Sequence, residues 1–420
     1  MGSAPGNARL GDDSPKRPLC ALLFQNPNHR RGLPTVTSLP NIPILDLSRQ
    51  YQQLQPAVDA AVLKVMASGT FILGPEVHAF EREAADYCGT TYAIGCASGT
   101  DALFLALKAL GVGAGDEVLT TAFSYIATSE SIVRTGARPV FIDMEPSGTF
   151  NFDVQQLKAA ITPRTRAILP VHLYGQAVNM DVLMQVAREH NLFVVEDCAQ
   201  AMGAEWNGRK VGSFGDAGCF SFFPTKNLGC YGDGGLVTCQ STGLAEKIKI
   251  LRAHGSAKRY YHDIEGVNSR LDEIQAAILR VKLPYLNDWN ARRLQIAQAY
   301  SERLKSLPGV TVPVIAPEAQ HVFHQYTLQI DAAQAGLNRD TLQEILKQAG
   351  VMSMIYYPVP LHLQGTHQNL GYQSGSLPVT ELAAERVLSL PIFPELNEAE
   401  IDHITGVIRS AIESSRLTTA

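Results

Sequence analysis

Between residues 93 and 240 of this 420-residue chain, short apolar runs rich in β-formers alternate with segments of helical spacing. Glu117–Thr121, Pro139–Ile142, Ala167–Val171 and Phe193–Glu196 read as strands, and Asp101–Leu110, Val154–Ile161 and Asp181–His190 as helices. Continuously apolar strands separated by helices require a mostly parallel sheet with helices on both faces, because a parallel sheet is stable only when both faces are covered. Such a sheet binds ligands at the C-terminal ends of its strands, so functional residues are expected there.

The flanking regions differ. Residues 1–41 are dominated by Gly, Pro, Asn, Asp and Arg and hold no periodicity beyond a few positions, so they read as a disordered extension in which Leu19–Phe24 is the only apolar cluster. Gln52–Met66 and Val77–Tyr87 have helical spacing, the first running into Ala67-Ser-Gly-Thr70 as a stop. Leu271–Leu307 is helix-rich. Beyond it, a strand (Gln325–Ile330), a helix (Asn338–Ala349) and a last helix near Glu398–Glu413 suggest a smaller α+β domain. The division expected is 42–299 for the large domain and 300–420 for the small one.

Composition excludes several classes. Thirty-five Lys and Arg against 40 Asp and Glu give a net charge of −5, so no global positive field exists for nucleic acid or an anionic membrane. No apolar run approaches the roughly 20 residues of a membrane span, and no signal-peptide pattern opens the chain; a cytoplasmic location is expected. The seven cysteines show no C-x-x-C pair, which argues for reduced thiols and no metal site. No G-x-x-x-x-G-K-[ST], no strand-linked G-x-G-x-x-G and no H-E-x-x-H occurs, so nucleoside-triphosphate, dinucleotide and zinc-hydrolase readings lose support.

Three segments can carry chemistry. Ala97-Ser98-Gly99-Thr100-Asp101 precedes a helix; its free N–H groups and hydroxyls suit an anion such as phosphate, or else form an ordinary cap. Val194-Val195-Glu196-Asp197 is an apolar strand ending in acids, where Asp197 could meet a protonated pyridine nitrogen or simply face solvent. Cys219-Phe-Ser-Phe-Phe-Pro-Thr-Lys226 places a lysine after an aromatic, buried stretch that desolvates its amine and favours the neutral nucleophile. Anion site, carboxylate and lysine, in that order, are the three anchors of pyridoxal 5′-phosphate.

The chain also resembles the DegT/DnrJ/EryC1/StrS nucleotide-sugar aminotransferases, fold-type I pyridoxal phosphate enzymes, from about Ile42 to about residue 410. The resemblance rests on Gly74-Pro-Glu76, Ser98-Gly-Thr-Asp-Ala-Leu103, Gly115-Asp-Glu117, Leu173-Tyr-Gly-Gln176, Glu196-Asp-Cys-Ala-Gln200, Ser221-Phe-Phe-Pro-Thr-Lys226, Gly232-Asp-Gly-Gly235 and Gly266-Val-Asn-Ser-Arg270. It implies that Lys226 bonds the cofactor and shuttles the proton, and that Asp197 pairs with the ring nitrogen. Gln200 would lie near the ring hydroxyl and Tyr125 would stack on the ring. Gly99, Thr100 and Ser221 would hold the phosphate, and Asn268 would reach the phosphate of a neighbouring subunit, making a homodimer. Arg270, Tyr357 and His362 would face the sugar. Asn227 stands where proline is frequent. The lysine at 226, rather than histidine, implies amino transfer and not sugar dehydration. The Lys226 and Gly266 segments are most similar to enzymes that aminate C3 of UDP-linked 3-keto-N-acetylhexosamine uronates from L-glutamate. Enzymes acting on dTDP-3-keto-6-deoxyhexoses are close to these in sequence, and a non-catalytic pyridoxal-binding regulator is a distant alternative. A uronate requires a cation, for which Arg270, Arg259 and Lys258 are available.

Overall fold

A computed structural model describes residues 41–258 and 260–419. Residues 1–40, with Cys20 and the Leu19–Phe24 cluster, and Arg259 lie outside the described residues, so the expected disorder of the extension falls outside them too.

Two helices come first, α1 (Leu47–Ser68) and α2 (Pro75–Cys88). Asp46 caps α1 by accepting from Ser48 N and Arg49 N, and Gly69 ends it in the left-handed conformation, at the stop expected from Ala67–Thr70. The main sheet is built from β1 (Tyr92–Cys96), β2 (Glu117–Thr121), β3 (Arg138–Ile142), β4 (Thr165–Leu169) and β5 (Phe193–Asp197). After the short hairpin β6 (Glu205–Trp206) and β7 (Arg209–Lys210), β8 (Ala217–Ser221) and β9 (Gly235–Cys239) complete it. The seven strands lie in the order β1-β9-β8-β5-β4-β2-β3. Only β9 runs against the rest, so the mostly parallel sheet expected from the sequence is present.

Adjacent residues of one strand enter different cores, which is why these strands are apolar at consecutive positions. Leu119, Ile168, Val194 and Leu236 belong to one core, with Val77 and Phe80 of α2 and Leu183 from the helix Met180–Glu189. Val118, Leu169, Val195 and Val237 belong to the other, with helix α3 (Gly99–Ala109), Ile132 of α4 (Ala127–Arg134), and Ile248. Helices thus cover both faces.

A third core gathers Ile296, Tyr300 and Leu304 of the helix Leu286–Leu304 with Leu342, Ile404 and Ile408, around an antiparallel sheet of β10 (Val310–Thr311), β12 (Tyr326–Ile330) and β13 (Val387–Leu390). The remaining strand, β11 (Ala319–Gln320), pairs with β6. Ile42 joins the third core from the start of the described chain, its N–H donating to Gly350 O at 2.8 Å. Directly before β12 come His324 and Gln325, which this part of the chain carries to the C-terminal ends of the main sheet's strands.

Candidate functional site

The C-terminal ends of β1, β2, β5 and β8 converge on a cavity of about 620 Å³. Its wall includes Gly99, Thr100, Tyr125, Asp197, Gln200, Ser221, Lys226 and Tyr357, eight of the eleven residues singled out in the sequence. Asn268, Arg270 and His362 are not on that wall. Asn268 is exposed and Arg270 half-buried. His362 is buried and bonds Glu381 through Nε2 at 3.0 Å; Tyr356 and Tyr357 are the residues of its segment that reach the cavity.

At one end of the cavity lies the start of α3. Ser98 is its cap, accepting from Asp101 N at 3.2 Å, so the ordinary cap foreseen from the sequence does exist. It satisfies one donor and leaves the N–H groups of Gly99 and Thr100 at the helix end without an intrahelical partner. A Cβ on Gly99 would stand 2.6 Å from Cβ of Ser221, and one on Gly235 would stand 2.2 Å from Ser98 O. Glycine at both positions lets the ends of β8 and β9 close against the helix start. The result is a cradle of N–H and hydroxyl groups on the positive end of a helix, which fits a phosphate.

Asp197 closes β5. Its Oδ2 accepts from Thr128 Oγ1 at 2.9 Å and its Oδ1 from Ala199 N at 3.1 Å, while Thr128 Oγ1 also meets Ser124 Oγ at 2.8 Å. Burial raises the carboxyl above its usual range; the Ala199 and Thr128 bonds and nearby Lys226 offset part of this. An acid so placed gains from a cation in the cavity, and a protonated pyridine nitrogen is one.

Lys226 sits in a tight turn in which its N–H donates to Phe223 O at 2.8 Å and Cys230 N to Phe222 O at 2.8 Å. Burial holds its amine down to about 8, with Asp197 pulling the other way. A fraction of the amine is therefore neutral and nucleophilic near neutrality. Asn227 is buried behind it, its Nδ2 donating to Asn290 Oδ1 at 2.8 Å and to Val322 O at 3.0 Å.

Gln200 Oε1 accepts from Tyr174 N at 2.7 Å, so its Nε2 faces Tyr357 Oη at 3.0 Å. Tyr125, 60% exposed, leaves a ring face open toward the cavity mouth, 6.4 Å from the ring of Tyr357. Three anchors at one cavity, phosphate cradle, carboxylate and amine, fit pyridoxal phosphate, which supplies a carbonyl for the amine and a ring that accepts the electrons of a carbanion.

Thr128, Asp233, His324 and Gln325 also line the cavity and were not singled out as site residues. Thr128 had a legible signal, a hydroxyl four residues after Ser124 in the segment following β2. His324 had none, since its place depends on a strand from the far part of the chain. Beside the cavity, His172, Glu196 and Cys198 cluster closely enough to suggest a metal site. Two of the three are engaged in hydrogen bonds: Glu196 accepts from the N–H groups of Gly212, Phe214 and Gly215, each at 2.8 Å, and His172 accepts at Nδ1 from Val178 N at 3.1 Å while its Nε2 meets Glu196 Oε2 at 3.1 Å. The cluster reads as a hydrogen-bonded brace behind Asp197. The six described cysteines are buried and free. Among the described residues no helix is long and apolar enough to cross a membrane.

Comparison with known proteins places the chain in a family. The sequence profile of the DegT/DnrJ/EryC1/StrS aminotransferase family matches residues 52–409. A Geobacillus stearothermophilus protein named pleiotropic regulatory protein is 49% identical over 88% of this chain and 98% of its own. A UDP-N-acetyl-3-dehydro-alpha-D-glucosamine 3-aminotransferase from Acidithiobacillus ferrooxidans is 46% identical, over 88% and 98%. The crystal structure of S. venezuelae DesV in complex with a ketimine intermediate superposes with a TM-score of 0.85 at 44% identity, covering 89% of this chain and 99% of that one.

Proposed function

Because the chain belongs to the DegT/DnrJ/EryC1/StrS family of pyridoxal phosphate-dependent sugar aminotransferases, we propose that it moves the amino group of L-glutamate to the 3-keto carbon of a nucleotide-linked hexose. The observation that carries this reading is the meeting of Lys226, Asp197 and the Gly99–Ser221 cradle at one cavity. In it, the N–H groups of Gly99 and Thr100 and the Ser221 hydroxyl hold the phosphate, Asp197 keeps the ring nitrogen protonated, Gln200 donates to the ring hydroxyl, and Tyr125 covers the ring. Lys226 bonds the cofactor at rest and, once displaced by glutamate, its amine carries the proton between the substrate carbon and the cofactor. The same groups run the second half-reaction backwards on the sugar ketone. Residues 42–299 form the cofactor lobe and 300–420 the smaller lobe that brings Tyr357 to the site.

The working unit is a homodimer in which Asn268, exposed on its own chain, reaches the phosphate of the partner. The sugar is UDP-2-acetamido-2-deoxy-ribo-hex-3-uluronate, placing the enzyme in cytoplasmic synthesis of a cell-surface polysaccharide. One observation favours a second reading, a neutral dTDP-3-keto-6-deoxyhexose: Lys226 is the only Lys or Arg among the described residues of the cavity wall. Lys258 lies over the Tyr261 ring at 4.7 Å and Arg270 is off the wall, so neither supplies a cation to a uronate carboxylate from the wall of its own chain's cavity.

The test is the visible absorption of the loaded protein, mixed separately with a UDP-linked 3-amino uronic sugar and a dTDP-linked 3-amino-6-deoxyhexose. Loss of the band with the UDP compound alone supports the uronate. Loss with the dTDP compound alone moves the chain to the deoxyhexose branch, and loss with neither overturns 3-amination.

A further inference from the structure

His324 presents an acceptor to the cavity, and its protonation is dictated by residues far from it in sequence. Asn227 Nδ2 donates to the carbonyl of Val322 and Asn290 Nδ2 to the carbonyl of Met202, both at 3.0 Å. Carbonyl oxygens only accept, so both amides are pinned in one orientation. Asn227 Oδ1, 3.2 Å from His324 Nδ1, must then accept, and Nδ1 carries the proton.

The charged groups facing the ring are Lys226 and Arg293, the latter donating through Nη1 to the carbonyl of His324 itself at 3.4 Å. Burial first, then these two cations, oppose a second proton. A neutral ring protonated at Nδ1 leaves a lone pair on Nε2, which no hydrogen bond among the described residues takes up and which keeps access to the cavity, in a residue that is 7% exposed. The adjoining Gln325 has its Oε1 buried and without a partner. Both residues line the cavity that holds Lys226. A buried acceptor left empty costs about 1–3 kcal/mol, so Gln325 Oε1 calls for a donor, and the Nε2 lone pair of His324 is open to one from the cavity.

We propose that His324 is a positioning residue for Lys226: its Nε2 accepts a hydrogen from the Lys226 amine once that amine is free of the cofactor, with Gln325 Oε1 as the second acceptor. The bond orients the nitrogen so that its own lone pair faces the reacting carbon; His324 transfers no proton. The proposal rests on Lys226 being the lysine that bonds the cofactor.

Two substitutions separate this role from support of the fold. His324→Asn keeps a donor near the Nδ1 position, for Asn227, and lacks an acceptor at Nε2. His324→Gln does the reverse. The readouts are the pH dependence of cofactor uptake by the apoenzyme, followed by its visible band, the rate of the glutamate half-reaction, and the melting temperature. Nε2 holds the charged amine more strongly than the neutral one, so His324→Asn should lower the uptake midpoint by about one pH unit and slow the half-reaction about tenfold or more. Its melting temperature should stay at the wild-type value. His324→Gln should keep the wild-type midpoint even if it melts lower. An unchanged midpoint in His324→Asn, or a shift accompanied by a matching loss of melting temperature, overturns the proposal. Lys226→Ala is the control: a normal covalent band in that variant would instead overturn the assignment of Lys226.

Discussion

Thr128 Oγ1 donates a 2.9 Å hydrogen bond to Oδ2 of Asp197, and both residues are at least nine-tenths buried. Hydrogen bonds to a carboxylate favour its charged form, so Thr128 opposes the burial that pushes Asp197 toward neutrality. Thr128→Val preserves shape and removes the donor. Apoenzyme carrying it should bind pyridoxal phosphate about tenfold more weakly, the cost of one bond to a charged group. Thr128→Ser should bind as wild type. Equal affinity for the Val variant in a fluorescence titration would show that Thr128 merely fills space.

Lys226→Ala should still take up the cofactor, because the cradle at Gly99 and the Asp197 carboxylate are untouched. It should fail at the proton transfer, with the glutamate half-reaction slowed by about 10²–10⁴-fold or more. Rapid mixing of the loaded variant with glutamate measures this, and a rate near that of wild type would remove Lys226 from the chemistry.

Lys282 gives a prediction about pH. Its amine, 1% exposed, donates to Gly229 O at 2.8 Å and lies 4.1 Å from the centre of the Tyr231 ring. Burial holds it down to about 8, against 10.5 for a free lysine. Between those values the unfolded chain binds the proton and the folded chain does not, so this group's contribution to stability rises with pH through that window. The buried cysteines act oppositely, since burial raises the thiols and the unfolded chain loses their protons first. The difference between variants isolates the lysine. Relative to wild type, Lys282→Met should be most favoured at pH 7 and lose that advantage by pH 10.5, by order 3 kcal/mol. Chemical denaturation at the two pH values checks it, and a difference that does not vary with pH would mean that Lys282 keeps its charge when buried.

How much of this could be read from the sequence depends on the range of the interactions. The expected bounds of β2, Glu117–Thr121, match at both ends and those of β5 to within one residue, because acidic residues mark one end of each apolar run, Asp116–Glu117 for β2 and Glu196–Asp197 for β5. β1, β8 and β9 were not named as strands: they carry Gly and Cys among their residues, and β1 pairs with β9 about 140 residues away. The cofactor anchors were legible because each sits in one short segment whose chemistry is local, a helix start, a strand end, a lysine turn. The His324–Asn227 pair was not, because its geometry is made by Val322 and Asn290, 95 and 63 residues from Asn227. His362, expected at the sugar from its motif, is buried off the cavity wall, with Nε2 on Glu381.

Arg270 distinguishes the two sugar readings. If it meets a uronate carboxylate, Arg270→Ala should depress turnover of the uronate far more than that of its neutral hexose analogue, by about tenfold or more for the loss of one charged hydrogen bond. Parallel kcat/KM measurements on the two sugars decide it, and equal losses would sink the carboxylate role.

The subunit arrangement can be tested without a structure of the dimer. Asn268 is exposed and off the cavity of its own chain, whereas Lys226 lies inside it. If Asn268 serves the partner's phosphate, Lys226→Ala and Asn268→Ala homodimers are each impaired for a different reason. Mixing them through partial denaturation and refolding makes hybrids in which one site has Lys226 from one chain and an intact Asn268 from the other. Random pairing makes half the dimers hybrids with one good site of two, so activity should recover to about a quarter of wild type. If Asn268 acted within its own chain, the hybrid would contain no intact site, and mixing would leave the activity at the average of the two parents. Recovery therefore reads the direction in which this loop reaches, because only a site completed across the interface can be rebuilt from two chains that each lack a part of it.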